Sequence, residues 1–408
     1  MRIIVIGAGV VGTTSAWYLL KDGHDVTVVE RNAHSAMETS YANAGGICPG
    51  FAGPWAAPGM PWKALRWLFQ DSAPLKVRPR FDPAQWKWLA QFTANCTRSR
   101  FAQNKARMQA MAHYSKRCLT ELVEETGIEY DAAHKGILHL FTTDAEMTIG
   151  HASSRVLTEM GIEHRLLQPS EIVQIEPALG LRSQTFSGGI HLTTDETGDC
   201  RLFTQALAIL AEQRGARFLY NTDATRLLIK NGRIHGLETP QETLEADAYV
   251  VAAGPFSRSL LASAGLSAPI YPVKGYSLTC TISDNQAAPV SCVMDEHSKV
   301  MITRLGSRLR AAGMAELAGF DPTPTPSARR LLLERVKTLF PNASDYDKAE
   351  WWCGFRPMTP DGPARLGQSV IDNLFINIGH GSNGWTQACG TSRVLADLMA
   401  GRTPQVSA

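Results

Sequence analysis

The fold is decided by the stretch Ile3-Ile4-Val5-Ile6-Gly7-Ala8-Gly9-Val10-Val11-Gly12. An apolar, helix-like stretch follows it and leads into Val26-Thr27-Val28-Val29-Glu30. This order predicts a strand, a phosphate-binding turn, a helix and a second strand.

The glycines of this turn have the spacing G-x-G-x-x-G. Gly7 allows the tight turn, Gly9 lets a pyrophosphate approach bare backbone, and Gly12 lets the helix pack on the sheet. Glu30 follows Gly12 by 18 residues, near the roughly 20 expected for an acid that binds a ribose 2′-hydroxyl. An ordinary glycine-rich turn would leave Glu30 unexplained, so we expect a dinucleotide site that uses the whole turn.

Composition and charge limit the other classes of function. The 408 residues are 44% hydrophobic, which allows a large core and predicts two or three domains. Lys plus Arg (40) nearly balances Asp plus Glu (38), so we expect no nucleic-acid partner. The eight cysteines show no metal-ligand spacing, so we expect no metal, and a reducing compartment. No segment has the roughly 20 unbroken apolar residues of a membrane span, which predicts a soluble or peripheral protein.

Two later stretches also predict parts of a nucleotide domain. The first has a helix near 198–215 and a strand over 216–220, and it ends in Ala248-Tyr-Val-Val-Ala-Ala-Gly254-Pro255. Its small residues Ala253 and Gly254 allow a cofactor to approach closely. The second, 374–385, is again a strand and a glycine-rich turn before a helix, where backbone N–H groups can meet an anionic or polar ligand.

The predicted fold class is therefore α/β, or α+β overall, with a discontinuous Rossmann domain and a sheet-bearing second domain threaded through it. Residues 81–126 predict basic helices, and 270–317 predicts strands at 271–282, 300–304 and 308–314. We assign 1–80, 197–267 and 350–408 to the nucleotide domain. We assign 81–196 and 268–349 to the second domain.

Five motifs follow one another along the chain: GAGVVG at 7–12, ETSYANAGG at 38–46, PVKGY at 272–276, GFRPMTPDG at 354–362 and GHGSNGWTQACG at 379–390. In this order they resemble the D-amino-acid oxidase superfamily of flavoenzymes, from end to end of the chain. The resemblance is strongest to the FAD-carrying small subunits of bacterial D-amino-acid dehydrogenases. It implies FAD, a flavin-binding domain of the glutathione-reductase type, and oxidation of an amine next to a carboxylate.

The resemblance also implies which residues bind FAD. Gly7, Gly9 and Gly12 would face the pyrophosphate, and Glu30 the adenosine ribose, with Arg31 beside it. Ala224 would touch the adenine end through its backbone. The segment along the pyrophosphate and ribityl chain would be Thr39, Ser40, Asn43, Ala44, Gly45 and Gly46. The turn that donates N–H groups to the flavin pyrimidine edge would be His380, Gly381, Ser382, Asn383, Gly384 and Trp385.

The substrate residues follow from the same resemblance. Arg356 matches the arginine that grips the substrate carboxylate in related oxidases, and a planar guanidinium suits that task. We expect it in a Pro/Gly-rich loop, and the structural alternative is an ion pair with Asp361. Tyr276 would add a hydroxyl hydrogen bond or be merely half-buried. His380 would tune the site or be structural, and Lys274 would pair with an acid or face the flavin.

The resemblance predicts oxidation of D-amino acids to 2-oxo acids and ammonia, by hydride transfer from Cα to flavin N5, with electrons passed to a quinone or similar acceptor. The same arginine and flavin would serve a dehydrogenase or oxidase of D-proline, hydroxyproline or another secondary amine. A third alternative is a flavin redox protein without turnover. Val300 stands where glycine-oxidase-like relatives carry a tyrosine, which disfavours glycine or sarcosine as the substrate.

The segment 54–69 predicts either a membrane contact or a lid. It joins tryptophans such as Trp62 and Trp67 to the cations Lys63 and Arg66, a composition that suits the lipid headgroup layer. The alternative is a helix packed on the protein's own core. We expect a cytoplasmic protein that is peripheral on the inner face of the cytoplasmic membrane if its acceptor is a membrane quinone.

Overall fold

The computed structural model describes residues 1–67, 75–181 and 185–407. Its α-helices are α1 (Val10–Lys21), α2 (Met60–Trp67), α3 (Pro83–Asn95), α4 (Arg98–Thr126), α5 (Asp144–Glu159), α6 (Pro169–Ile175), α7 (Cys200–Gln213), α8 (Ser257–Ser263), α9 (Pro326–Leu339) and α10 (Gly384–Met399). Its strands are β1 (Arg2–Ile6), β2 (Asp25–Val29), β3 (Gly46–Ile47), β4 (Leu75–Val77), β5 (Ile137–Phe141), β6 (Arg165–Leu167), β7 (Gly188–Leu192), β8 (Glu196–Thr197), β9 (Arg217–Leu219), β10 (Arg226–Lys230), β11 (Arg233–Glu238), β12 (Thr243–Leu244), β13 (Ala248–Val251), β14 (Tyr271–Thr281), β15 (Cys292–Asp295), β16 (Val300–Leu305), β17 (Arg308–Leu317), β18 (Glu350–Met358), β19 (Arg365–Gln368) and β20 (Leu374–Ile378).

A six-stranded sheet carries the amino-terminal motif. Its strand order is β19-β20-β13-β1-β2-β9, and every pair is parallel except β19–β20 at one edge. β1 and β2 are buried after their first residues, as is typical of parallel strands covered on both faces. Helices α1, α7 and α10 pack into one apolar cluster with this sheet through Trp17, Phe203 and Leu395.

The second large sheet has nine strands. Its order is β18-β14-β17-β16-β15-β5-β7-β6, and β4 also pairs with β17. All of its pairs are antiparallel except β15–β5 and β4–β17. Helix α9 covers it through Leu332 and Val336, which share a core with Leu278 and Ala311. Two small sheets, β10-β11-β12 and β3-β8, complete the described strands.

The mixed α/β fold class predicted from the sequence is confirmed by these two sheets. The strands of the six-stranded sheet come from the segments 1–80, 197–267 and 350–408. β4 and β18 fall in the same segments but pair in the nine-stranded sheet. The chain therefore crosses between the sheets within those segments, and the division into two domains at these boundaries stays a prediction.

Some local expectations are wrong. Arg356 lies in β18 and not in a loop; Gly354 and Pro357 suggested the loop, but β18 is an edge strand, where proline is tolerated. Ala224 precedes β10, which begins at Arg226. In the segment 54–69, α2 ends at Trp67, and residues 68 and 69 lie outside the described residues. No helix in the described part of the chain combines the length and apolar character needed to cross a bilayer.

Candidate active site

A large cavity of about 1220 Å³ is lined by residues of both sheets. The structure brings every predicted site residue except Ala8 and Gly12 to its wall. One part, here called the glycine end, comprises residues 7, 9–11, 30–31, 38–40, 42–46, 224, 253–254 and 380–385. The other part, the arginine end, comprises Trp55, Gly275, Met314, Trp352 and Arg356. Within the described residues, no group of three or more His, Cys, Asp or Glu side chains could hold a metal ion.

The three glycines of the first turn have different structural roles. Gly7 has φ +104°, and a Cβ there would lie 2.7 Å from the carbonyl oxygen of Ala252. A Cβ at Gly12 would collide with the carbonyl oxygen of Gly7. At Gly9, by contrast, a Cβ would meet only the Ser40 hydroxyl, at 3.4 Å. Packing therefore requires Gly7 and Gly12, whereas Gly9 leaves open cavity in front of α1.

Glu30 ties the end of β2 to this turn. Its buried carboxylate accepts the Ala8 N–H at 2.8 Å. Arg31, the next residue, pairs with Glu38, and its Cζ lies 3.6 Å from the centroid of the Phe256 ring. Glu30 and Arg31 thus line the cavity from fixed positions.

The segment 38–46 approaches the start of α1. The Ser40 hydroxyl accepts the Val10 N–H at 3.0 Å, and so partly caps α1 from a distant part of the chain. The Thr39 hydroxyl donates to the Phe355 carbonyl at 2.7 Å. The segment is therefore held between α1 and β18.

The rest of this segment is shaped by its backbone. The Asn43 side chain accepts the Gly45 N–H at 3.0 Å, and Gly45 has φ +80°. The Ala44 carbonyl accepts from the Thr303 hydroxyl at 2.7 Å. A Cβ at Gly46 would come within 2.8 Å of neighbouring sulfur and methyl groups. Because the residues here are small, their side chains do not extend into the cavity.

The turn before α10 forms the opposite wall. It is a 3₁₀ segment, Gly381–Asn383, that runs directly into α10 at Gly384. The N-cap residue Asn383 makes no side-chain capping hydrogen bond to α10, and the first N–H groups of a helix lack intrahelical partners. The Trp385 indole donates to the Gly198 carbonyl at 3.1 Å and anchors the turn.

His380 faces α10. Its Nε2 lies 3.0 Å from the Thr391 hydroxyl, and the side chain is buried. Burial lowers the pKa of His380 to about 4. The ring is therefore uncharged near neutral pH. Its contact with Thr391 links the turn to α10.

Small residues complete the glycine end. Gly254 has φ +53° and begins a 3₁₀ turn, with two residues between it and the end of β13. Ala253 precedes it, and Ala224 lies on the wall between β9 and β10. Because none of them carries a large side chain, a ligand can approach their backbone closely.

The glycine end fits FAD. The starts of α1 and α10 both reach the same cavity, and neither is capped by the side chain of its own N-cap residue. Helix N-termini stabilise anionic groups through free N–H groups and the helix dipole. The cavity, about 1220 Å³, exceeds the roughly 300–1000 Å³ of a typical small-molecule site. It has room for an extended dinucleotide and a second, small ligand.

Arg356 dominates the other end. Its Nη1 donates to the Met314 carbonyl at 3.0 Å, with a longer contact to the Lys274 carbonyl at 3.4 Å. Within the described residues no carboxylate pairs with it, and Asp361, the alternative partner, binds Arg365 instead. Burial lowers the pKa of Arg356 to about 10. Partial burial of a cation without an acid partner carries a desolvation cost that an anionic ligand would offset.

Tyr276 and Lys274 both turn to Glu316. The Tyr276 hydroxyl donates to the Glu316 carboxylate, and the Lys274 Nζ lies 3.2 Å from the same group. Burial raises the pKa of Tyr276 above its ordinary value, and the hydrogen bond to Glu316 adds to the shift. The charge of Lys274 is therefore compensated within the protein. The Tyr276 hydroxyl is occupied even though the residue lines the cavity.

Sequence reasoning missed much of the arginine end. Trp55 lies with its ring centroid 5.9 Å from the Arg356 Cζ, and Trp352, Gly275 and Met314 line the same wall. The alternation of Trp352, Gly354 and Arg356 is a period-two signal that could have placed these three residues on one face of a strand. The contribution of Met314 depends on pairing between distant strands and leaves no local signal.

Comparison with solved structures finds the same fold in glycine oxidases. The Bacillus cereus enzyme superposes with a TM-score of 0.75 at 21% identity, covering 99% of this chain and 98% of that one. The Geobacillus kaustophilus enzyme gives a TM-score of 0.75 at 24% identity, covering 100% and 96%. At these identities the likeness shows the fold alone.

Similarity in sequence is higher to proteins named D-amino acid dehydrogenase. That of Agrobacterium fabrum is 48% identical over 100% of this chain and 97% of the relative. That of Azorhizobium caulinodans is 50% identical over 100% and 98%. The model of the DAO family, FAD dependent oxidoreductase, matches residues 2–398. The resemblance in the sequence is thereby confirmed, and the chain belongs to the DAO family of FAD-dependent oxidoreductases.

Proposed function

We propose that this protein is a D-amino-acid dehydrogenase, which converts a D-amino acid and water into a 2-oxo acid and ammonia and passes two electrons to an acceptor. The observation that carries the proposal is Arg356, a half-buried cation without an acid partner among the described residues, in the same cavity as the FAD-binding turns. The dehydrogenases at 48% and 50% identity support the choice of substrate.

Arg356 binds the substrate carboxylate. A guanidinium has five donors, and its carbonyl contacts use only Nη1. The remaining N–H groups can form a bidentate pair with a carboxylate. Trp55 and Met314 contribute apolar walls, and apolar surroundings strengthen such a pair. Binding at this one point fixes the position of the substrate α-carbon.

The hydride acceptor for the α-carbon is supplied by FAD when it is bound. At that end of the cavity the chain contributes the N–H groups and dipole at the start of α10, which stabilise developing negative charge. His380 adds no positive charge there, because burial keeps its pKa low. Lys274 is neutralised by Glu316. Arg356 is therefore the cation of the arginine end that no described carboxylate compensates, and Lys105 also lines the cavity.

Anaerobic reduction of the bound flavin tests this proposal. Holoenzyme is mixed with D-alanine and other D-amino acids, L-alanine, D-proline, glycine and sarcosine, and the flavin absorbance is followed. We expect bleaching by D-amino acids and none by L-alanine. Bleaching by D-proline alone would favour the secondary-amine alternative. No bleaching by any amine would contradict the proposed enzyme and favour a redox protein without turnover.

We further propose a quinone as the acceptor and α2 as the contact with the membrane. No residue of α2 is buried, although Met60 packs partly buried against an apolar cluster. Trp62 is 73% exposed and Leu65 is 49% exposed, with Lys63 and Arg66 exposed beside them. Met60, at the start of α2, lines the cavity. An exposed apolar face next to cations suits the surface of an anionic bilayer on the inner side of the cytoplasmic membrane.

Sedimentation with vesicles of anionic phosphatidylglycerol tests the contact. We expect wild type to pellet and a Trp62→Ser/Leu65→Ser variant to remain largely in the supernatant. The matched control is Ile209→Ser/Ile229→Ser, which removes residues that are 56% and 44% exposed elsewhere and should pellet like wild type. Equal pelleting of all three yellow proteins, or of none, would rule out α2 as the contact.

A further inference from the structure

At the arginine end of the cavity, two paired glycines leave the backbone of β14 and β18 without side chains. β14 and β18 pair so that Gly275 lies directly opposite Gly354. Opposite residues in an antiparallel pair share a face of the sheet, and so do residues two apart on one strand. Trp352, Gly354 and Arg356 therefore share a face with Gly275. Gly275 and Gly354 carry no side chains. The Trp352 and Arg356 side chains, on either side of Gly354, therefore lie over this part of the sheet.

Gly275 touches the guanidinium itself. A Cβ at Gly275 would lie 2.6 Å from the Cζ of Arg356 and would overlap its Nη1. The backbone of Gly275 is not in the left-handed region, so its conformation alone does not require glycine. The space that the Arg356 guanidinium occupies is what an alanine would invade.

A β-bulge in β17 supplies the main hydrogen-bond acceptor. The β14–β17 register shifts beside Gly275, so that Met314 and Ala315 together oppose one residue. Met314 has φ +58°, which non-glycine residues rarely adopt. Its carbonyl oxygen accepts from Nη1 of Arg356 at 3.0 Å. Met314, the residue with this rare backbone conformation, is thus the one whose carbonyl contacts the guanidinium.

Carbonyl groups hold a guanidinium without neutralising it. The Met314 and Lys274 carbonyls fix one edge of Arg356 and carry no net charge. A carboxylate at the same place would compete with an anionic ligand for the cation. This arrangement fixes the orientation of Arg356 and leaves its full charge for a ligand.

We propose that Gly275 and the bulge at Met314 are positioning residues for Arg356. Gly275 lets the guanidinium lie flat on β14, and the bulge directs a carbonyl to one edge, so that the free edges face the substrate carboxylate. The proposal rests on the proposed function, in which Arg356 binds that carboxylate.

Four holoenzymes test it: wild type, Gly275→Ala, Arg356→Leu and the double variant. The probe is propionate, which is alanine without its amine, and its binding is read from the absorbance of the oxidised flavin without turnover. In Gly275→Ala we expect normal flavin content, and a propionate Kd and a D-alanine KM raised about tenfold, as for the loss of one charged hydrogen bond. The kcat should change by less than about threefold, because the reacting atoms are untouched. In the Arg356→Leu background, Gly275→Ala should have no further effect.

The matched control is Gly236→Ala, in β11 and away from the cavity. A Cβ there would lie 2.5 Å from a methyl group of Thr243, so it introduces a similar crowding without Arg356, and propionate binding should be unchanged. If Gly275→Ala does not fold but the double variant folds and is yellow, the guanidinium is the group that needs the space, which supports the proposal. If neither folds, the glycine is required for another reason and the proposal fails.

The outcomes also separate this proposal from the proposed function. If Arg356→Leu binds propionate like wild type, Arg356 is not the anchor and both proposals fall. If Arg356→Leu binds weakly but Gly275→Ala binds like wild type, the anchor stands and the positioning role is overturned. Equal weakening by Gly275→Ala in both backgrounds would mean a general distortion, which also overturns it.

Discussion

The two ends of the cavity are built in different ways. The glycine end is made of backbone: Gly9 leaves space, and the starts of α1 and α10 supply N–H groups. The arginine end depends on one side chain, Arg356, which distant strands hold in place. The first arrangement suits a large cofactor with many weak contacts, and the second suits a small ligand with one strong charge. Damage to each end should therefore have a different signature.

The largest effect is expected from Gly9→Val. The backbone at Gly9 has φ −69°, which valine can adopt, and the added Cβ has only the Ser40 hydroxyl at 3.4 Å nearby. The rest of the side chain would fill the space in front of α1. We expect a folded, colourless protein, measured by circular dichroism and by the flavin released on denaturation.

Gly12→Ala is the contrasting control. Its Cβ would collide with the Gly7 carbonyl, so this variant should lose the fold and not merely the cofactor. A yellow Gly9→Val protein with normal flavin content would show that the pyrophosphate does not lie against this turn.

Arg356→Leu should give the opposite signature, with normal flavin content and almost no reduction by D-amino acids. Leaving a buried carboxylate without its partner costs about 3–5 kcal/mol, so kcat/KM should fall by about 10² to 5 × 10³ fold. The measurement is the rate of anaerobic flavin reduction against D-alanine concentration.

Arg365→Leu provides the matched control for that experiment. Arg365 makes two hydrogen bonds of 2.7 Å to Asp361 and does not line the cavity. Its loss should affect stability and leave the KM for D-alanine unchanged. A near-normal kcat/KM in Arg356→Leu would mean that another cation anchors the substrate.

The difference between the glycine end and the arginine end also explains which site residues the sequence could predict. Gly7, Gly9, Gly12 and Glu30 lie within 30 residues of the amino terminus, so their spacing alone encodes a strand, a turn and a helix. The arginine end joins Gly275, Met314 and Arg356 through strand pairing, which local patterns do not encode. Arg356 itself was named through the family resemblance, and its placement in a loop was wrong.

The pH dependence of propionate binding sharpens the comparison further. Burial lowers the pKa of Arg356 to about 10, so the guanidinium begins to lose its charge as the pH rises through that value. The dissociation constant of propionate should then rise between pH 8 and pH 10.5, because the fraction of charged guanidinium falls. Arg356→Leu should bind weakly at every pH in this range. A constant affinity in wild type up to pH 10.5 would mean that the arginine stays fully charged.

The smallest catalytic effect is expected from His380→Gln, because we expect the bound cofactor to contact the backbone of this turn and not the His380 side chain. The His380 ring is bound to Thr391 and uncharged near neutral pH, so the pH profile of kcat/KM between 6 and 8 should keep its shape.

The free energy of unfolding should instead depend on pH through His380. Below pH about 6.5 the histidine of the unfolded chain takes up a proton that the buried native ring, with a pKa of about 4, does not. Wild type should therefore lose about 2 kcal/mol through this group between pH 7 and pH 5, and His380→Gln should lose that much less. Urea unfolding of both proteins at the two pH values measures the difference. An equal loss in both proteins would show that His380 is not held neutral, and a changed pH profile of kcat/KM would show that its side chain acts on the bound cofactor.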